Sequence, residues 1–114
     1  MCVDSEYGPM PQWDVSNIVW KLKEAFQDRS TFNADITGWD TSNVQNMGHV
    51  FKRCSAFNQP IGGWNTAKVD KFTKMFYGAT TFNQPLNDWN SGKVQGFYMT
   101  FRDAVAFDQP LTSW

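Results

Sequence analysis

Apolar side chains fall at fixed intervals along this chain. Trp39, Trp64, Trp89 and Trp114 stand 25 residues apart, and Trp13 precedes Trp39 by 26. Five residues after each tryptophan come Ile18, Val44, Val69 and Val94, and eight after come Met47, Phe72 and Phe97. Phe51, Phe76 and Phe101 follow at twelve, and Cys54, Ala79 and Ala104 at fifteen. Phe57, Phe82 and Phe107 follow at eighteen, and Ile61, Leu86 and Leu111 at twenty-two. With one residue inserted in the first copy, Leu22, Phe26, Phe32 and Ile36 join the register, which takes in all ten phenylalanines and five of six tryptophans.

Positions five, eight, twelve and fifteen are spaced i, i+3, i+7 and i+10, the apolar stripe of a helix of about three turns. Asp40-Thr41-Ser42, Asn65-Thr66 and Asn90-Ser91 lie just before the stripe, with side-chain oxygens suited to first-turn amides. After it comes Phe-Asn-Gln-Pro at 57–60 and 82–85, followed by Ile61 or Leu86. The phenylalanine and the aliphatic residue four positions later share one face of an extended segment, and proline ends any helix before it. The spacing therefore predicts a short right-handed α/β solenoid, leucine-rich-repeat-like, of about four 25-residue strand-turn-helix repeats. Residues 1–12 read as an N-terminal half-repeat or cap, and 13–114 as the four-repeat solenoid, ending at the start of a fifth copy. The ladders expected along it are Trp39, Trp64 and Trp89, then Phe57, Phe82 and Phe107, then Asn58 and Asn83, whose amides would bond backbone at successive bends.

Composition narrows the function classes. Hydrophobic residues make up 41% and aromatics 17%, with a formal net charge of −1, so neither disorder nor a nucleic-acid surface is expected. No apolar run approaches the roughly eighteen residues that cross a bilayer, and MCVDSEYGPM lacks the charged and apolar regions of a signal peptide. Cys2 and Cys54 allow one bridge at most, and their spacing matches no metal or redox motif, which leaves their pairing open.

Catalysis finds no support in the residues. His49 is the one histidine, Cys54 aligns with Ala79 and Ala104, and Asp35, Asp40, Asp70 and Asp88 follow no motif. No phosphate loop or zinc signature occurs, so no enzyme, cofactor or metal is expected. Binding is expected at outward positions that vary. Gln59, Gln84 and Gln109 should project from the strand face, joined by Asp88 at a turn, and Lys52, Arg53, Lys74, Tyr77, Tyr98 and Arg102 form a mildly basic outward row on the helical side. The tryptophan row has the chemistry to hold sugars, but its lock on the core period assigns it to packing and leaves glycan binding a minor alternative.

The full pattern, from the aliphatic residue through Trp, Asp or Asn, Val and the spaced phenylalanines to Phe-Asn-Gln-Pro, resembles the 25-residue repeat of the BspA-like leucine-rich-repeat surface proteins, largely a domain of unknown function. The resemblance runs from Tyr7 to Trp114. It implies a leucine-rich-repeat-like fold and, for bacterial members, a cell-surface or extracellular location and adhesion. This sequence shows no signal peptide, lipoprotein anchor or wall-sorting tail, which leaves its location unknown. The reading that follows is a non-catalytic protein-interaction or adhesion module with a protein partner. The alternative is a small structural subunit of a larger assembly, docked or self-associated through an open C-terminal edge at 109–114, because no later strand covers Gln109 to Leu111.

Overall fold

The computed structural model describes residues 22–114. The half-repeat at 1–12, Trp13, Ile18 and Cys2 lie outside the described residues. Within them the only regular element is a three-residue 3-10 helix, Ile61–Gly63. Strand pairing is confined to the isolated parallel bridges Asn46 to Lys71 and Lys71 to Gly96. The predicted α/β solenoid is therefore corrected: the described residues contain no α-helix and no strand, and with them go the leucine-rich-repeat, solenoid and repeat-protein descriptions. The 25-residue spacing is met in another form, as contacts between residues 24 to 28 apart.

Where helices are predicted, the backbone makes pairs of tight turns. At 22–29 the amides of Ala25, Gln27 and Arg29 donate to the carbonyls of Leu22, Glu24 and Phe26, three residues back. The alternate amides of Leu22, Glu24, Phe26 and Asp28 donate instead to Asn46, Gly48, Val50 and Lys52. The segments at 47–54 and 72–79 follow the same alternation, His49 donating to Thr73 and Phe76 to Thr100. A helix would need those alternate amides for its own turns.

Positive φ marks the third residue of each turn: Glu24, Asp28, His49, Arg53, Lys74, Gly78, Met99 and Asp103, from 53° to 69°. That is the signature of a type II turn, which normally calls for glycine at this point. Only Gly78 supplies one, and a non-glycine residue in the left-handed region costs on the order of 1–2 kcal/mol. The apolar residues stand at the first and last positions of each turn, Phe72, Met75, Phe76 and Ala79 for example, and all four are buried. Two consecutive turns thus carry the same i, i+3, i+4, i+7 stripe as a helix, which is why the pattern predicts the wrong element.

The residues read as helix caps make local turns instead. Asp40 Oδ1 accepts from the Ser42 amide at 3.0 Å, Asn65 Oδ1 from Ala67 at 3.0 Å and Asn90 Oδ1 from Gly92 at 2.9 Å. Strand ladders are absent at Phe-Asn-Gln-Pro because side-chain amides bridge the segments there. The amides of Asn58, Asn83 and Asp108 donate to Asn33, Asn58 and Asn83 Oδ1 at 2.8–2.9 Å. Pro60 and Pro85 contribute no amide at all. Gly62 leaves room for the next segment, since a Cβ there would sit 2.5 Å from the Pro85 carbonyl oxygen.

Aromatic columns fill the interior. Phe26, Phe51, Phe76 and Phe101 stack with ring centroids 5.9, 5.6 and 5.4 Å apart. Phe32, Phe57, Phe82 and Phe107 follow at 5.7, 5.8 and 6.0 Å. Trp64, Trp89 and Trp114 form a third column at 6.5 and 6.2 Å, each indole N–H donating to the carbonyl of Ile36, Ile61 or Leu86. The indole bond satisfies the one polar atom that burying the ring removes from water.

Candidate interaction face

The paired turns put most of their second and third residues outward, and the three segments from 47–54 to 97–104 gather five of the predicted binding residues on one face. Lys52 and Arg53 leave the turn at 51–54, Lys74 and Tyr77 the turns at 72–79, and Tyr98 the turn at 97–100. Three cations lie over the Tyr77 ring: Lys52 Nζ at 5.7 Å, the Arg53 guanidinium at 5.9 Å and Lys74 Nζ at 5.9 Å. Lys74 also lies 5.7 Å from the Tyr98 ring, which is 63% exposed. Such contacts are worth about 0.5–1 kcal/mol each at exposed sites, enough to hold the side chains over the rings.

Countercharge is sparse. Arg53 Nη1 meets Asp28 Oδ1 at 3.3 Å, with both side chains exposed. His49, half-buried beside the cluster, is held below the ordinary histidine range, first by burial and then by Lys52, with Lys74 and Lys23 adding to the effect and Glu24 opposing it. Its Nδ1 lies 3.0 Å from Gln27 Oε1. Arg102 sits in the last turn segment, where its Nη1 reaches Met99 Sδ at 3.7 Å.

Gln59, Gln84 and Gln109 are not brought to this cluster. Each Nε2 donates to the carbonyl and the side-chain oxygen of the asparagine one segment back, Asn33, Asn58 or Asn83, at 3.0–3.2 Å. Asp88 is exposed at the turn after Leu86. Asp35, its carboxyl held below the usual range by the Thr37 hydroxyl at 2.6 Å and the Thr37 amide, closes a local turn.

A second surface went unread in the sequence. Gln45, Lys68, Asp70, Lys93 and Gln95 line an open groove of about 530 Å³ with Gly92 and Val94. Its signal was present, since Lys68 and Lys93, like Gln45, Asp70 and Gln95, stand 25 residues apart. Lys68 Nζ donates to Asn43 Oδ1 at 3.0 Å. Elsewhere Cys54 is buried and its Sγ donates to the Phe26 carbonyl at 2.9 Å. Among the described residues no three His, Cys, Asp or Glu side chains gather to hold a metal, and no helix is long and apolar enough to cross a membrane.

A family model described as a Mycoplasma protein of unknown function, DUF285, matches residues 2–114. The chain belongs to this family. No curated protein and no solved structure matches it. For this DUF285 chain, function is read from its own surface chemistry, and the cation-tyrosine face gathers three cations about one ring.

Proposed function

We propose that this chain is a non-catalytic protein-interaction module akin to the BspA-like surface proteins its sequence pattern resembles. The observation that carries the reading is the cluster of Lys52, Arg53 and Lys74 over Tyr77, with Tyr98 exposed beside it. Tyrosine and arginine are enriched among the residues that carry interface energetics, tyrosine because its rigid ring offers large contact area at low entropic cost and arginine because its planar guanidinium offers several hydrogen-bond donors. A core of stacked rings beneath holds the face in place. The test is site-specific photocrosslinking in the native cell, with a benzophenone amino acid replacing Tyr98 or, on a different turn, Thr112. A discrete adduct from position 98 and none from 112 supports the module; no adduct from either position sinks it.

A second reading, a structural subunit docked through the edge at 109–114, draws support from two exposed apolar side chains shortly before it, Phe97 at 45% and Val105 at 80%. Light scattering across a concentration series separates the two. Self-association that Phe97→Ser abolishes supports docking at this edge, and a monomer at every concentration removes the self-associating form.

A further inference from the structure

We propose that the face around Tyr77 docks an acidic protein segment whose carboxylates alternate along an extended backbone, an inference that rests on the interaction-module reading. The face is built from donors. Lysine and arginine offer hydrogen-bond donors and no acceptor, and the two phenol hydroxyls add more. Its complement is a group that only accepts, as an ionised carboxylate does.

The charge is concentrated against the balance of the chain. The whole sequence carries a formal net charge of −1, yet three cations lie within 6 Å of a single ring. Arg53 shares its charge with Asp28, whereas Lys52 and Lys74 make no ion pair among the described residues. Both ammonium groups lie within 6 Å of the Tyr77 ring centroid, so an anion docked beside that ring is attracted by both.

Geometry selects the form of the anion. Pyranose rings and bases bind aromatic residues by stacking on the ring face, and the Tyr77 ring is covered by cations. That disfavours stacking of a sugar or a base on Tyr77 and leaves side-chain carboxylates as the better fit beside that ring. The cluster crosses three successive turn segments, whose core rings step by 5.6 and 5.4 Å. Same-face residues of an extended peptide repeat every ~6.6 Å, so carboxylates at alternate positions can follow that step. Tyr98, at one margin of the cluster, supplies an apolar contact for the residue beyond.

The experiment uses the full chain and a fluorescent peptide of alternating glutamate and serine, with a glutamine-serine peptide and polygalacturonate as the other probes. The expected result is binding of the glutamate peptide that weakens with salt, and no binding of its glutamine counterpart. Replacing Lys52→Gln and Lys74→Gln together should weaken it roughly tenfold, whereas Lys68→Gln with Lys93→Gln, the same charge change in the groove, should stay within about twofold. Thermal melts check that both double variants remain folded. Equal weakening by the two pairs would mean net charge alone attracts the peptide, which overturns the site. Binding of polygalacturonate without the glutamate peptide would make the face an acidic-glycan site, and binding of neither probe rejects the inference outright. In that last case a discrete Tyr98 crosslink to a neutral segment leaves the module reading standing while this inference falls.

Discussion

Phe72 and Phe97 occupy the same point of two turn segments 25 residues apart, yet Phe72 is fully buried and Phe97 is 45% exposed. The same holds for Val69, fully buried, and Val94, half-buried. Residue type and local turn are alike, so the difference comes from what lies on the far side. The segment at 72–79 is bonded on both sides, receiving amides from 47–53 and giving its own to Gly96, Tyr98, Thr100 and Arg102. The segment at 97–104 is bonded on one side among the described residues. Burial here is made between neighbouring segments, and 72–79 has one on each side.

The comparison is broken or upheld most directly by truncating one ring in each segment. Phe76, fully buried between Phe51 and Phe101, should lose about 3–5 kcal/mol on substitution by alanine. Phe101, half-buried with a stacked neighbour on one side of its column, should lose about half as much for the same change. Urea denaturation of the two variants measures both. Equal losses would mean that the second neighbour contributes nothing to burial in this fold.

The apolar register behind that test is visible in the sequence, because Phe26, Phe51 and Phe76 are spaced alike and each meets the next across a column. The backbone is not visible. The spacing of Phe72, Met75, Phe76 and Ala79 suits a helix or two type II turns equally, and the glycine that would decide for turns occurs only at Gly78. Lys74 takes positive φ while its amide bonds Tyr98 across segments rather than along the chain, a tertiary demand with no local mark. For the same reason Lys52, Arg53, Lys74, Tyr77 and Tyr98 read as outward from their places between apolar positions, while their convergence on one ring does not. The glutamines show the opposite limit. Nothing in Gln59 or Gln84 alone reveals that its amide is held by the asparagine one segment back, Asn33 or Asn58.

The polar edge sharpens the comparison at smaller scale. Asn58 Oδ1 accepts from the Asn83 amide at 2.9 Å and from Gln84 Nε2 at 3.2 Å, so Asn58→Ala strands the Asn83 amide, leaves Gln84 Nε2 only the Asn58 carbonyl, and should cost about 1 kcal/mol. Asp108 stands at the equivalent point of the last segment and receives no bond from a later one among the described residues. Asp108→Ala, which keeps the backbone amide that bonds Asn83, should change stability by less than about 0.5 kcal/mol. Parallel thermal melts of the two variants read the contrast, and a loss at Asp108 as large as at Asn58 would show that the side-chain oxygen matters without a neighbour to receive.

Smallest is the effect of pH, and it too separates the segments, because the place of His49 is taken by Met99 in the last one. His49 is held below its ordinary value of 6.5 by burial and by Lys52, Lys74 and Lys23, against the weaker pull of Glu24. The folded state therefore binds a proton less readily than the unfolded state, and the stability this confers is present above pH 6.5 and is lost as pH falls through the lowered folded value. The melting temperature should decline slightly below pH 6.5, and His49→Asn, which tolerates the positive φ of 61° without titrating, should flatten that part of the profile. A decline that persists unchanged in His49→Asn would assign the titration to carboxylates instead. The same protonation adds a positive charge beside Lys52 and Lys74, so the proposed acidic segment should bind more tightly as the fold itself weakens, and opposite slopes for binding and stability as pH falls below 6.5, both lost in His49→Asn, would assign the two effects to this histidine.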